Sequence, residues 1–385
     1  MPQLADKYIC SGCHACYNIC PKNCIIMEKD SEGFLYPRID EQNCIHCGRC
    51  SNICPVLHKY NGNPKGYAYA CINKNEEIRM KSSSGGVFNL IAEWTIERGG
   101  IVFGAAFDKQ LNVKHIGVES KKDLYKLRGS KYLQSRIGDA YKAAEQYLKQ
   151  GRIVLFTGTP CQISGLKAYL GRSYDNLIMQ DLICHGVPSP DIWQKYLAYQ
   201  EKVHGCRVDR ESLPAFRLKD KSWKRYSVSF NLLNDTEYRE TLDRDLFMRA
   251  FLSNVCLRPS CYRCHSKSLE RESDITLADF WGVGSIMPEM FDDKGTSLVF
   301  INSETGKKLF GEISGDMIFK ETDIDRAAGC NTASFKPCAE PKKRGWFMEN
   351  VTADNFEQCV KRCARKSPVS RVKNKIKRII KGMCT

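Results

Sequence analysis

Residues 10–21, CSGCHACYNICP, and their echo at 44–55, CIHCGRCSNICP, decide how this chain is organised. Each stretch reads C-x2-C-x2-C-x3-C-P, so Cys10, Cys13, Cys16 and Cys20 match Cys44, Cys47, Cys50 and Cys54 position by position. Two residues between successive thiolates let a tight loop wrap three corners of a cubane. The fourth cysteine reaches the centre wrapped by the other loop. The proline that follows has no N–H and a fixed φ, and it keeps the backbone from re-entering the loop. This reading assigns Cys10, Cys13, Cys16 and Cys54 to one [4Fe-4S] cluster, and Cys44, Cys47, Cys50 and Cys20 to a second. Structural zinc sites need only C-x2-C pairs and explain neither the third cysteine of each run nor the proline. Cys24 falls outside the pattern and reads as a packed thiol.

The rest of the composition sets the background for these runs. The chain has 385 residues, 42% hydrophobic and 27% charged, which suits two or three globular domains and excludes a wholly disordered or fibrous protein. No apolar run approaches the roughly 18–20 residues that span a bilayer. The opening MPQLADKYIC lacks a secretory pattern, so a cytoplasmic protein is expected. In a reducing compartment, 21 cysteines point to metal binding or redox chemistry, not to disulfides. The net charge is +15, but residues 361–385 hold ten basic residues and no acidic one, which leaves only +5 elsewhere. A nearly neutral body with a cationic tail gives no basis for nucleic-acid binding. Val369, Val372, Ile376, Ile379, Ile380 and Met383 recur at spacings of three and four, which predicts an amphipathic helix suited to an anionic membrane surface.

Between the cysteine runs, residues 24–40 read as two short strands around a turn at Ser31-Glu32-Gly33. Beyond the polar stretch HKYNGNPKG, strand-like segments (66–72, 101–107, 113–118, 152–158, 176–183, 227–230, 274–280, 297–302) alternate with helix-like ones (86–98, 138–150, 161–170, 189–203). The expected fold is therefore α+β, a small two-cluster unit followed by a mixed α/β body. In such bodies the C-terminal strand ends gather ligands. Three transitions carry unusual residues: Lys81-Ser82-Ser83-Ser84-Gly85-Gly86 ahead of a helix, Thr157-Gly158-Thr159-Pro160-Cys161, and Asp181-Leu182-Ile183-Cys184-His185-Gly186. Serines and glycines at a helix start present N–H and hydroxyl groups to an anion, though an N-cap with a flexible turn has the same composition. Cys261 and Cys264 form a C-x2-C half-site that needs two more thiolates, and Cys161, Cys184 and Cys256 are the candidates.

The segments KSSSGGVF, GSKYLQS, LFTGTPCQISGLKAYL, DLICHGVPSP and LRPSCYRCHSKSLERESDITLADFWG, behind the two-cluster unit, resemble the beta subunit of coenzyme F-420 (deazaflavin) hydrogenase/dehydrogenase. The resemblance runs from Cys10 to about Trp346. It implies FAD in the body, beside Ser83, Ser84, Gly85, Gly86, Ser130 and Lys131. It also implies a further [4Fe-4S] cluster on Cys161, Cys184, Cys261 and Cys264, with Cys256 left as a spare thiol. Lys131 would stabilise negative charge on reduced flavin, and His185 or Asp279 would relay protons.

The expected domains are a two-cluster ferredoxin-type unit at 1–60, a flavin-binding body in two parts at 66–150 and 151–345, and a helical basic tail at 346–385. Clusters pass electrons singly and flavin couples them to two-electron substrates. The implied function is electron transfer between a ferredoxin-like or other redox donor and a small organic molecule. The alternative is an electron-relay subunit of a larger oxidoreductase, without a substrate site of its own.

Overall fold

A computed structural model describes residues 2–58 and 62–364. The amphipathic helix expected over 369–383, with its membrane surface, lies outside the described residues. No described helix is long and apolar enough to cross a membrane.

The strands, in chain order, are β1 (Ile25–Lys29), β2 (Leu35–Ile39), β3 (Tyr67–Asn73), β4 (Ile101–Phe107), β5 (Val113–Val118), β6 (Val154–Thr157), β7 (Leu177–Leu182), β8 (Ala215–Leu218), β9 (Ser227–Asn231), β10 (Glu237–Thr241), β11 (Ile275–Asp279), β12 (Ser297–Ile301) and β13 (Met317–Thr322). β1 and β2 form an antiparallel hairpin between the two cysteine runs, with Gly33 in the left-handed region at its turn. The body is an eight-stranded sheet in the order β13-β3-β12-β11-β7-β6-β4-β5. Its centre, β4, β6, β7 and β11, is parallel, and antiparallel strands flank it on both sides. A smaller antiparallel sheet, β10-β9-β8, stands apart.

Central parallel strands are buried on both faces, and here the strand residues alternate between two cores. Val102, Leu155, Ile178 and Ile275 face the helix Val87–Glu97 through Val87, Leu90 and Ile91. Phe103, Val154, Phe156 and Leu177 face the helices Ala140–Lys149 and Pro160–Leu170 through Tyr141, Ala144, Ile163 and Leu166. Both expected parts of the body, 66–150 and 151–345, thus contribute strands to one sheet.

A third core fills the space between the helix Pro190–His204 and the small sheet, and the end of the described chain closes it. The helices Arg344–Asn350 and Phe356–Cys363 insert Phe347, Val351, Phe356 and Val360 there. The boundary expected at 346 therefore falls inside a packed helix. The hydrophobic face of this segment, not its charge, decides its place, because burying large side chains outweighs solvating a few lysines.

Phe347 is fully buried. Phe347→Ala should cost about 3–5 kcal/mol of stability, seen as a lowered denaturant midpoint. An unchanged midpoint would show that the segment is an appendage and not part of the core.

Candidate functional site

The two cysteine runs share one backbone device. Gly12 and His46, each just before the second cysteine of its run, have positive φ (67° and 54°), as do His14 and Gly48 just after it (62° and 71°). Glycine adopts this region freely and histidine at modest cost, so each loop turns its three thiols to one side. Cys10 and Cys13 are buried against the body, and the thiols of Cys13, Cys16 and Cys54 interact electrostatically with that of Cys10. Cys20, Cys44, Cys47 and Cys50 line one pocket farther out, beside Ile45, and there Cys47 is exposed. Each grouping brings three cysteines of one run together with the fourth of the other. Cys24 is buried and lines the outer pocket too, with its Sγ 3.3 Å from that of Cys20.

The body cysteines converge as well. Cys161 lies in the first turn of the helix Pro160–Leu170, just past β6, and Cys184 lies just past β7. Cys261 sits in the short turn Pro259–Arg263, and Cys264 follows it. All four line a single cavity with about 540 Å³ of empty volume, partly open to solvent, beside His185, Lys267 and Arg271. The Val187 N–H donates to Cys261 Sγ at 3.4 Å. Cys256 is fully buried in the apolar core and does not line the cavity. Cys338, which the sequence reading passed over, packs its thiol near the Cys261 carbonyl.

Burial pushes the Cys13 thiol up to about 12 and raises Cys16, Cys54, Cys161, Cys184 and Cys261 as well. Burial keeps these thiols protonated, as it does the core thiol Cys256, and a cationic centre bound among them would displace their protons. Among the described residues no group of three or more Cys, His, Asp or Glu side chains closes on a single metal ion. The four thiols that line the cavity are the residues that would hold a cubane there.

The segments expected at a flavin also meet. Ser83 Oγ accepts from the Ser130 N–H (2.8 Å) and from Ser130 Oγ (2.9 Å). Lys131 Nζ donates to the Leu127 and Arg128 carbonyls, both at 3.0 Å, and burial lowers its ammonium to about 7. Other groups of the turn are already engaged, since Ser84 Oγ donates to the Thr296 carbonyl and the Gly85 N–H to Ser297 Oγ. Gly86 has φ +86°, and a Cβ there would meet Asn73 at 3.1 Å. Its glycine is therefore explained by the fold alone.

Asp279, at the end of β11, pairs with Arg217 and accepts from Trp223 Nε1 at 3.1 Å. With both oxygens held, it anchors Arg217 and is poorly placed to carry protons. Arg217 lies over the rings of Tyr226 and Trp281, and its Nε and Nη2 are buried without a hydrogen-bond partner. Such an orphaned donor marks a place built for an acceptor. Arg217, on β8, and Lys219, just past its end, carry no motif in the sequence, because a lone Arg and Lys beside a short strand read as surface residues. His185 stands elsewhere, at the cysteine cavity, with Nε2 2.6 Å from Asn254 Oδ1 and its ring edge-on to Phe251. Burial holds it below the usual imidazole range.

Residues 151–327 match the family model for the C terminus of the beta subunit of coenzyme F420 hydrogenase/dehydrogenase. Residues 9–57 match a 4Fe-4S dicluster domain. No curated protein matches the chain. Among solved structures, a chain of the F420-reducing [NiFe] hydrogenase complex from Methanosarcina barkeri aligns at a TM-score of 0.47 and 19% identity, over 71% of this chain and 89% of that one. The family recognised in the sequence motifs is thus the one whose model matches. Residues 151–327 are thus similar to the C terminus of that beta subunit, behind a 4Fe-4S dicluster-type unit at 9–57.

Lys219 is buried, donates to the carbonyls of Arg79, Ser84 and Lys294, and is lowered by burial from 10.5 to about 7. Between about pH 7 and 10.5 the unfolded chain binds this proton and the folded chain does not. Its contribution to stability therefore rises with pH across that window and is least favourable below 7. Urea midpoints of Lys219→Met at pH 6.5 and pH 9 should differ less than those of the wild type. An unchanged difference would show that this amine is not depressed.

Proposed function

We propose that this chain carries electrons one at a time through three [4Fe-4S] clusters to an FAD, which exchanges two of them with a small organic substrate. The observation that supports this most is the seating of the inner cysteine run on the body. Gly165 lies in the helix that bears Cys161 in its first turn, and a Cβ on Gly165 would come within 2.9 Å of Cys13 Cβ and 3.1 Å of its Sγ. The thiols of Cys13 and Cys161 also interact electrostatically. The thiols therefore run from an exposed outer group, through a buried inner group, to the body cavity, in the order a relay requires.

In this reading Cys44, Cys47, Cys50 and Cys20 hold the outer cluster, where exposed Cys47 and Ile45 offer a face to a ferredoxin-like or other one-electron donor. Cys10, Cys13, Cys16 and Cys54 hold the inner cluster, and Cys161, Cys184, Cys261 and Cys264 the third. Bound clusters supply one-electron transfer, and bound flavin supplies the conversion to two. The chain's own part is placement and charge. Ser83, Ser130 and the helix start at Val87 face anionic groups, Lys131 adds a cation near neutral pH, and Arg217 offers its two free donors over the Trp281 ring. Asp279 keeps Arg217 in position.

Protein purified without oxygen should contain about twelve iron atoms per chain and one noncovalent FAD. Cys261→Ser/Cys264→Ser should lose about four irons and keep the ferredoxin-type signals. Because Gly86 is held by the fold, the flavin is better tested with Ser130→Leu, which should keep iron and lose flavin. Unchanged iron in the double variant would remove the third cluster from the proposal. Wild-type protein that takes up no FAD would remove the flavin.

A further inference from the structure

Five arginines are buried among the described residues: Arg79, Arg217, Arg258, Arg271 and Arg344. Four of them have a carboxylate. Arg79 pairs with Asp292 at 2.6 Å, Arg344 with Glu32 at 2.6 Å, Arg271 with Asp181 at 3.5 Å, and Arg217 with Asp279. Arg258 is fully buried, yet no carboxylate among the described residues lies within ion-pair distance of it. Its neighbours are instead the inner cysteine run and the hairpin. Nε donates to the Cys10 carbonyl at 2.8 Å, and Nη1 to Gln134 Oε1 at 2.9 Å. Nη2 donates to the Leu35 carbonyl at 3.0 Å and reaches Cys10 Sγ at 3.7 Å. The guanidinium lies 4.1 Å from the centre of the Tyr36 ring and 5.4 Å from that of Phe34.

A guanidinium cannot shed its proton, so a buried one without a counter-charge is costly. Carbonyls and aromatic faces offset part of that cost, but they supply no net negative charge. Among the described groups that Arg258 contacts, the one able to supply it is the thiolate-held centre that includes Cys10. We propose that Arg258 is the counter-charge of the inner cluster and holds its reduction potential up. This rests on the inner cluster of the proposed function. A cluster on four thiolates is anionic and gains a further negative charge on reduction. A fixed cation and a hydrogen bond to a ligand sulfur therefore favour the reduced form. Arg258 thereby biases an electron shared between the two ferredoxin-type clusters toward the inner one, beside the body. It is a positioning and tuning residue. It also fastens the two units together, since its four contacts join Cys10 and Leu35 on one side to Gln134 on the other.

The test is a redox titration of the purified holoprotein followed by electron paramagnetic resonance, with iron analysis of the same samples. In Arg258→Gln, one ferredoxin-type midpoint should fall far enough to change the reduced-to-oxidised ratio at fixed potential about tenfold, or about 59 mV for a one-electron couple. The other midpoint and the iron content should stay as in the wild type. Arg258→Lys, which keeps the charge and loses the fork, should shift the same midpoint less. Intact iron with both midpoints unmoved in Arg258→Gln would overturn the proposal and leave the clusters standing. If Arg258→Gln does not assemble, wild-type protein carrying guanidino-15N arginine decides the matter. Partial reduction should reveal a 15N hyperfine coupling that Arg258→Lys lacks, and its absence in the wild type would overturn the proposal. A wild type with no ferredoxin-type signals at all would overturn both readings.

Discussion

A helix and a cysteine loop can touch here only because one residue between them has no side chain. Gly165 faces Cys13 across that contact, and the Tyr141 hydroxyl would lie 2.8 Å from any Cβ placed there. Protein interiors close to crystal density, so a single methyl group at such a point pushes two elements apart. Hydrogen bonds on this side and at the hairpin complete the joint between the two-cluster unit and the body. The Asn18 side chain donates to the Gly138 carbonyl at 2.8 Å, and Gln134 donates to the Ser11 carbonyl at 3.2 Å. Arg258 and Arg344 bind the hairpin from the far side. The result is one continuous arrangement of thiols, where two separate domains on a linker would have left the distance between centres undefined.

The same economy of space explains why the body cysteines sit where they do. Parallel strands end at one edge of the sheet, and the chain must leave that edge through loops. β6 and β7 deliver Cys161 and Cys184 to this edge, and β11 delivers Asp279. The cavity between the loops is thus a consequence of topology, and the C-x2-C pair closes it from a segment that has no strand of its own. Around Ser83 and Ser130, positive charge is buried in two different ways. Arg217 is held by a carboxylate, while Lys219 and Lys131 are held only by carbonyls, which is why burial lowers both lysines toward neutrality.

Hydrophobic patterning anticipated most strands of the body and the helices Val87–Glu97, Ala140–Lys149, Pro160–Leu170 and Pro190–His204, but not shorter helices such as Leu246–Leu252 or the helix Glu304–Ile313. Other misses have particular physical causes. β13 lies at the sheet edge with Ile318 and Phe319 exposed, so its residues show no inward–outward alternation to read. β8 and β10 belong to a small sheet in which polar residues, Arg217 among them, face inward. The closing helices, Arg344–Asn350 and Phe356–Cys363, looked like the start of a basic tail because charge was more conspicuous than their buried phenylalanines.

For the sites, the division follows how far apart the contributing residues lie in the chain. Spacing within a dozen residues was enough to read the two cysteine runs, because a loop that wraps a cubane tolerates few other spacings. The C-x2-C pair was legible for the same reason, but its partners were not, and spacing left Cys256 as eligible as Cys161 and Cys184. Burial of Cys256 in the apolar core, and convergence of the other two on one cavity, came only from the packing of strands more than twenty residues apart. Arg217 and Arg258 were invisible in the sequence, since an arginine reads as surface until its neighbours are known. Tertiary structure alone removed their water. That loss of solvent turns two unremarked cations into groups that must find a negative charge.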